Sequence, residues 1–246
     1  MSAVLSCSNL SVSFGSFAAL SDVTLNFEDG ATTALIGPNG AGKTTFLNAL
    51  AGLQRVSSGT IRLDGSDITV LSAHRRARMG MARSFQIVTV FPQMTVLENV
   101  QVARMRAHMK VAVPWRTLAS FPAVEREARA ALERFGLADV ADVPAGTLSH
   151  GRQRALELAI VLVNAPRVLL LDEPLAGVGR AELDHFADLV REVSARQTTI
   201  LVEHNMDVLM TLARDIVVLV GGQVLARGGP EAIQADPKVR EAYLGA

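Results

Sequence analysis

Apolar residues recur along this chain at two spacings, and the change from one to the other divides it into elements. Alternating Val23, Leu25 and Phe27 predict a strand over Ser21 to Phe27, partnered by the apolar run Val4 to Leu10 across a turn around Gly15 that contains Phe14. Thr32 to Ile36 predicts a further strand, Thr44 to Leu53 a helix, and Thr60 to Leu63 a short strand before the turn Asp64-Gly65. A short basic helix is expected over Arg75 to Met79, then a strand over Met81 to Phe85 that ends in Gln86. Thr95-Val96-Leu97-Glu98 has the form of a capping box and starts a helix running to about Met105. Pro114-Trp115 interrupts that pattern, and Glu125 to Phe135 resumes it up to Gly136. Ser149 is placed to cap a long helix over Gly151 to Asn164. Arg167 to Leu171 is a continuous apolar run of the kind buried inside a parallel sheet, and it ends in Asp172-Glu173-Pro174. Thr198 to Glu203 predicts another strand, Asp215 to Val220 and Gln223 to Arg227 a hairpin across Gly221-Gly222, and Pro230 to Leu244 two short helices. Strands and helices alternate except from about 87 to 155, where the pattern is mainly helical. An α/β core with an inserted helical subdomain is the expectation.

The most informative stretch joins the strand Thr32 to Ile36 to the helix after it. Gly37, Pro38, Asn39, Gly40, Ala41, Gly42, Lys43, Thr44 and Thr45 fit the pattern G-x-x-x-x-G-K-[ST] in the strand, loop, helix context it requires. Glycines permit a tight turn with inward N–H groups, and the helix N-terminus adds partial positive charge, so the concavity suits phosphate oxygens. Lys43 would reach β- and γ-phosphates, and Thr44 would offer a hydroxyl to Mg²⁺. Of the 24 Lys and Arg positions, lysine occupies only Lys43, Lys110 and Lys238. A compact ammonium fits inside a closed phosphate loop where a planar guanidinium does not.

Asp172 at the end of an apolar strand reads as the carboxylate that holds Mg²⁺, with Glu173 beside it to orient and deprotonate a water. Two further residues remain open on type alone: Phe14 is either a core residue or a platform for a nucleotide base, and His204 is structural or a phosphate contact. Gln86, a polar amide ending an apolar strand, reads as a solvated loop residue.

Composition bounds the rest. A chain of 246 residues, 49% hydrophobic, can bury a large core as one α/β domain with a subdomain. Zero formal net charge gives no global basic field, which disfavours nucleic acid as a partner. No basic, apolar leader opens the sequence and no run approaches the length of a membrane span, so a soluble, unexported chain is expected. The single cysteine, Cys7, sits in an apolar run and reads as a buried small hydrophobe.

Taken in order, Gly37 to Thr44, Gln86, Leu148-Ser149-His150-Gly151-Arg152, Asp172-Glu173 and His204 resemble an ABC-transporter nucleotide-binding domain over essentially all of 1–246. Met81-Ala82-Arg83-Ser84-Phe85-Gln86, Met94 to Val100, Glu203-His204-Asn205-Met206 and the ending Ala242-Tyr243-Leu244-Gly245 are similar to the ATP-binding subunits of branched-chain amino acid importers, close relatives of urea and short-amide importers. The resemblance implies a P-loop NTPase fold, with a mainly parallel core sheet, an antiparallel β subdomain and a helical subdomain at about 87–155. It implies an ATPase that powers a separate membrane permease, with ATP and Mg²⁺ as cofactors.

On matching positions, the resemblance makes Phe14 the adenine platform, Gln86 a sensor of Mg²⁺ and γ-phosphate, Glu173 the general base and His204 a γ-phosphate contact. Family members work as head-to-tail dimers, so Ser149 and Gly151 would face ATP held by a second, identical or paralogous subunit. An extracytoplasmic binding protein would belong to the same system without touching this chain, which would lie in the cytoplasm against the inner face of the membrane. The ATPase of a lipid or lipopolysaccharide exporter is the alternative, with a soluble ABC ATPase behind it. His150 and Arg152 depart from the usual Leu-Ser-Gly-Gly-Gln, and Gly179 stands where the family usually has an Asp.

Overall fold

The computed structural model describes residues 3–84, 90–108, 118–176, 178–203 and 205–244. Expectations placed on Phe85, Gln86, the Pro114-Trp115 break, His204 and the closing Gly245 lie outside those residues. The described chain divides into two compact units, one drawn from 1–83, 167–174 and 190–246 and the other from 84–166 and 175–189.

The first unit opens with two long strands, β1 (Ala3–Phe14) and β2 (Phe17–Glu28), paired antiparallel. Both exceed the expected runs because bulges absorb the residues that break the alternation. Asn9 and Asp22 take left-handed backbone angles, φ 51° and 55°, and Asn9 Nδ2 donates to Asp22 Oδ1 at 2.6 Å. Phe14 therefore ends β1 opposite Phe17 instead of lying in the turn. Next come β3 (Thr32–Ile36), buried along its whole length, and the helix α1 (Lys43–Ala51). After α1 follow β4 (Ser58–Leu63), β5 (Ser66–Asp67), the short helix α2 (Ala73–Arg78) and β6 (Met81–Arg83).

The second unit holds α3 (Val96–His108), α4 (Pro122–Arg134) and α5 (His150–Leu162). The capping box forms as its sequence requires: Thr95 N donates to Glu98 Oε2 at 2.8 Å, and Glu98 N donates back to Thr95 Oγ1 at 3.1 Å. Buried Asn99 holds the preceding loop, taking Phe91 N at 2.8 Å and donating to Phe91 O and Thr95 O. Arg104 joins α3 to α4 through Glu127 at 2.6 Å.

The chain enters the first unit through β7 (Val168–Asp172), goes back to the second for α6 (Arg180–Ser194) as far as residue 189, and continues in the first with β8 (Thr198–Val202). Then come α7 (Met206–Leu212), the hairpin of β9 (Asp215–Val220) and β10 (Gln223–Gly228), and the terminal helices α8 (Pro230–Ala235) and α9 (Pro237–Leu244). Neither α6 nor α7 has a counterpart among the sequence expectations, although Phe186, Leu189, Val190 and Val193 stand at helical spacing.

One sheet is antiparallel, ordered β2-β1-β4-β5, and the other runs β10-β9-β3-β8-β7-β6. All of its pairings are parallel except the β9–β10 hairpin. Both sheets and α1 share one core that includes Leu10, Leu25, Phe46, Leu50, Leu170 and Val217, and Phe27 meets Phe46 at 6.3 Å between ring centroids. Burial of each such side chain contributes on the order of 2 kcal/mol, so this core fixes α1 against the parallel strands, with its first turn following the carboxyl end of β3. Arg76 completes the anchorage. Its guanidinium, 2% exposed, donates to the carbonyls of Ala49 and Leu50 at the last turn of α1 and to those of Thr69 and Leu71.

Candidate functional site

The loop between β3 and α1 is built around close backbone approaches. A Cβ on Gly37, at φ 152°, would stand 2.1 Å from the Leu219 carbonyl oxygen, and one on Gly42, at φ 98°, would stand 2.6 Å from that of Ala19. Only glycine fits either place without displacing backbone. Ala41 N closes the turn onto Pro38 O at 3.2 Å, and Phe46 N begins the helix on Gly42 O at 2.8 Å. Gly42 supplies no side-chain cap and the first turn of α1 has no acidic residue, so its N–H groups and partial positive charge stay available to an anion.

Lys43 folds back over this loop. Its Nζ donates to Gly37 O at 2.6 Å and Pro38 O at 3.0 Å, with the residue 8% exposed. Burial lowers the pKa of its ammonium, against the attraction of Glu173 and then Asp172. Asn39, Gly40 and Thr44 are exposed at the loop and helix start, whereas Pro38 and Thr45 are half-buried and Ala41 is buried. Phe14 is 51% exposed at the end of β1, so it is a surface side chain and not a core one.

Asp172 closes β7 and is 1% exposed. Burial raises the pKa of its carboxyl, and the charge and hydrogen bond of Arg83 oppose that shift most strongly. Arg83 Nη2 donates to Asp172 Oδ2 at 2.9 Å, while Nη1 donates to Asn48 Oδ1 on α1. Glu173 follows in a left-handed conformation, φ 50°, its N–H donating to Val202 O at 2.8 Å. A non-glycine residue in that region stores on the order of 1 kcal/mol of strain, and the turn carries the chain sharply off the end of the sheet.

In the second unit, Ser149 caps α5, its Oγ accepting from Arg152 N at 3.4 Å, and Gly151 lies in the first turn. His150 is exposed and Arg152 pairs with Asp139 at 3.0 Å. Buried Arg154 joins Glu157 at 2.8 Å and donates to the carbonyl of Ala176, in the loop beyond Pro174. Gly179 is exposed, with open space where a side chain would stand. Gln86 and His204 lie outside the described residues.

The structure thus gathers the phosphate loop, Lys43, Asp172 and Glu173 in one unit and places Ser149 and Gly151 in the other. Sequence reasoning missed Arg83 and Asn48. The available signal was a charged residue inside the short strand Met81–Arg83, one position before buried Ser84.

The loop, the bare helix start and the adjacent acids fit a nucleotide phosphate with its Mg²⁺. Mg²⁺ favours one or two protein oxygens combined with phosphate oxygens, and Thr44 and Asp172 are donors of that kind.

Residues 20–176 match the ABC transporter family, and residues 223–246 match the branched-chain amino acid ATP-binding cassette transporter family. The high-affinity branched-chain amino acid transport ATP-binding protein BraF of Pseudomonas aeruginosa is 40% identical, over 98% of this chain and 98% of its own. Its counterpart LivG of Escherichia coli is also 40% identical, again over 98% of both. Among solved structures, a nucleotide-free ATP-binding cassette from an ABC transporter superposes with a TM-score of 0.86 at 30% identity, over 99% of this chain and 100% of the other. An ATP-binding cassette in its ADP conformation gives 0.85, also at 30% identity and over 100% of both chains. Among the described residues no helix is long and apolar enough to cross a membrane.

Proposed function

The chain belongs to the ATP-binding subunits of ABC transporters, and we propose that it hydrolyses ATP to drive uptake of branched-chain amino acids through a separate membrane permease. The observation that carries this reading is its likeness, over nearly its whole length, to branched-chain amino acid transport ATP-binding proteins. The match of β10, α8 and α9 to the branched-chain family supports it, because these elements stand outside the phosphate loop. An exporter ATPase is not favoured.

In this reading the loop from Gly37 to Thr45 cradles the phosphates, Lys43 moves from its loop carbonyls to the β- and γ-oxygens, and Phe14 stacks on adenine. The ammonium's bonds are charge-assisted in both places, and transfer from neutral carbonyls to phosphate oxygens adds the attraction of an opposite charge. Glu173 accepts a proton from the attacking water, a role its sharply turned backbone suits by presenting it beyond the strand end. Thr44, Asp172 and Gln86 would hold Mg²⁺, which supplies charge neutralisation to the phosphates. His204 would meet the γ-phosphate. The partners we assign are the permease, which the helical subdomain at about 87–155 meets on the cytoplasmic face, and a second ATP-binding subunit that presents Ser149 and Gly151. The extracytoplasmic binding protein makes no direct contact.

Reconstitution tests the assignment. The subunit, its permease and the binding protein in lipid vesicles should show ATP hydrolysis that rises when leucine, isoleucine or valine is supplied outside. Stimulation by lipid and none by these amino acids would overturn the importer reading.

A further inference from the structure

We propose that Arg83 is a positioning residue for ATP hydrolysis, tying the Asp172 carboxylate to the phosphate-loop helix through Asn48 and so fixing the carboxylate that holds the nucleotide's Mg²⁺. The inference rests on the ATP and Mg²⁺ reading above. Its own support is geometric. Arg83 is the last residue of β6 and lies in parallel register with Leu170 of β7, two residues before Asp172 on the same strand face. From there its side chain, 8% exposed, reaches Asp172 Oδ2 at 2.9 Å with Nη2 and Asn48 Oδ1 with Nη1. Asn48 stands four positions after Thr44 on α1, one turn along the same helical face. A single planar guanidinium therefore connects the strand that carries the acid with the helix that carries the hydroxyl.

Burying such a pair is a poor route to stability. Desolvation of two charges offsets much of their attraction, and an apolar side chain at an edge strand would pack without that cost. The rigid fork gives direction instead, because both of its arms are engaged and rotation of the carboxylate would break the bond at Oδ2. Polar groups that orient a ligand in this way commonly shift metal affinity by about 10- to 100-fold when removed. Asp172 is thus delivered to the metal already oriented relative to Thr44.

Arg83→Met, Arg83→Lys and Asn48→Ala in the full-length protein test the proposal. Binding of the fluorescent analogue TNP-ATP is titrated in EDTA and in Mg²⁺, and Mn²⁺ affinity of the ATP complex is followed by electron paramagnetic resonance. Arg83→Met is expected to leave nucleotide affinity in EDTA unchanged and to weaken Mn²⁺ by about 10- to 100-fold. Asn48→Ala should move the same ratio in the same direction by less, and Arg83→Lys, which keeps the charge without the fork, should recover only part of it. Should Arg83→Met fail to fold, Asn48→Ala reads the same ratio with the ion pair in place. An equal loss with and without metal assigns Arg83 to scaffolding and overturns the proposal, as does an unmoved Mn²⁺ affinity. Wild-type protein that binds TNP-ATP in neither condition overturns the nucleotide reading and this one with it.

Discussion

Lys43 Nζ lies 2.6 Å from the carbonyl oxygen of Gly37, so the lysine at the head of α1 closes the loop that precedes it. The same ammonium feels Glu173 and Asp172, and burial disfavours its charge. Its two loop-carbonyl contacts hold the ammonium over the phosphate loop. Lys43→Ala is expected to lower ATP turnover by at least about 100-fold, while the protein stays folded, since loss of the two ammonium–carbonyl bonds costs on the order of 1 to 3 kcal/mol. Lys43→Arg should recover little of the rate, since the guanidinium is too broad for the two carbonyls that hold the ammonium. Phosphate release at saturating ATP checks both, and turnover near wild type in Lys43→Ala would sink the assignment.

Arg76 should behave in the opposite way, touching stability first and chemistry second. Its burial pulls the guanidinium pKa down to about 10, still well above neutrality, so the group remains charged at working pH. Arg76→Met would take the guanidinium donors from the carbonyls of Leu50, Thr69 and Leu71, and from that of Ala49, which keeps Gly52 N at 3.2 Å. The expected loss is on the order of 3 to 5 kcal/mol, read as a lower denaturant midpoint. A change within about 0.5 kcal/mol, the size typical of surface substitutions, would refute it.

Capping was among the features most legible in the sequence, because a cap is a local matter of side-chain type and spacing. Thr95 and Glu98 form the reciprocal pair that their order predicts, and Ser149 caps α5. Thr95→Ala is expected to destabilise the protein by about 1 kcal/mol, with hydrogen exchange rising first at the start of α3. No such locality governs Arg83. Its partners Asn48 and Asp172 come from distant parts of the chain, and a sheet order of β10-β9-β3-β8-β7-β6 is needed before they can meet. Bulges hid the full length of β1 and β2 for a related reason, since Asn9 and Asp22 interrupt the alternation that marks a strand. The helix α6 is legible in the spacing of Phe186, Leu189, Val190 and Val193.

Glu173 carries a backbone angle that suits glycine better than glutamate. Glu173→Gly should leave stability unchanged or raise it by up to about 0.5 kcal/mol, relief of left-handed strain offsetting the added freedom of the unfolded chain and the lost attraction to Lys43. It should abolish turnover at the same time. Stability kept or raised while activity is lost in one substitution identifies a strained functional position. A destabilised Glu173→Gly variant would instead mean that the side chain supports the fold.

Glu173→Gln makes the sharper probe of assembly. The amide preserves size and most hydrogen bonding while removing the base, so ATP that binds stays uncleaved. If Ser149 of one subunit meets the phosphate held by the Lys43 loop of another, uncleaved ATP bridges two chains and shifts them toward the dimer by mass action. Sizing chromatography of this variant should show a dimer with ATP and Mg²⁺ and mostly monomer without them. Ser149→Arg added to it is the control. Ser149 is exposed and its cap is worth about 1 kcal/mol, so the double variant should fold and bind ATP, yet its bulky cation at the shared phosphate should abolish the dimer. A dimer that survives Ser149→Arg would use another surface, and a Glu173→Gln chain that stays monomeric at saturating ATP would mean either that the Arg152 and Gly179 departures weaken the closed state or that the permease is needed to hold it.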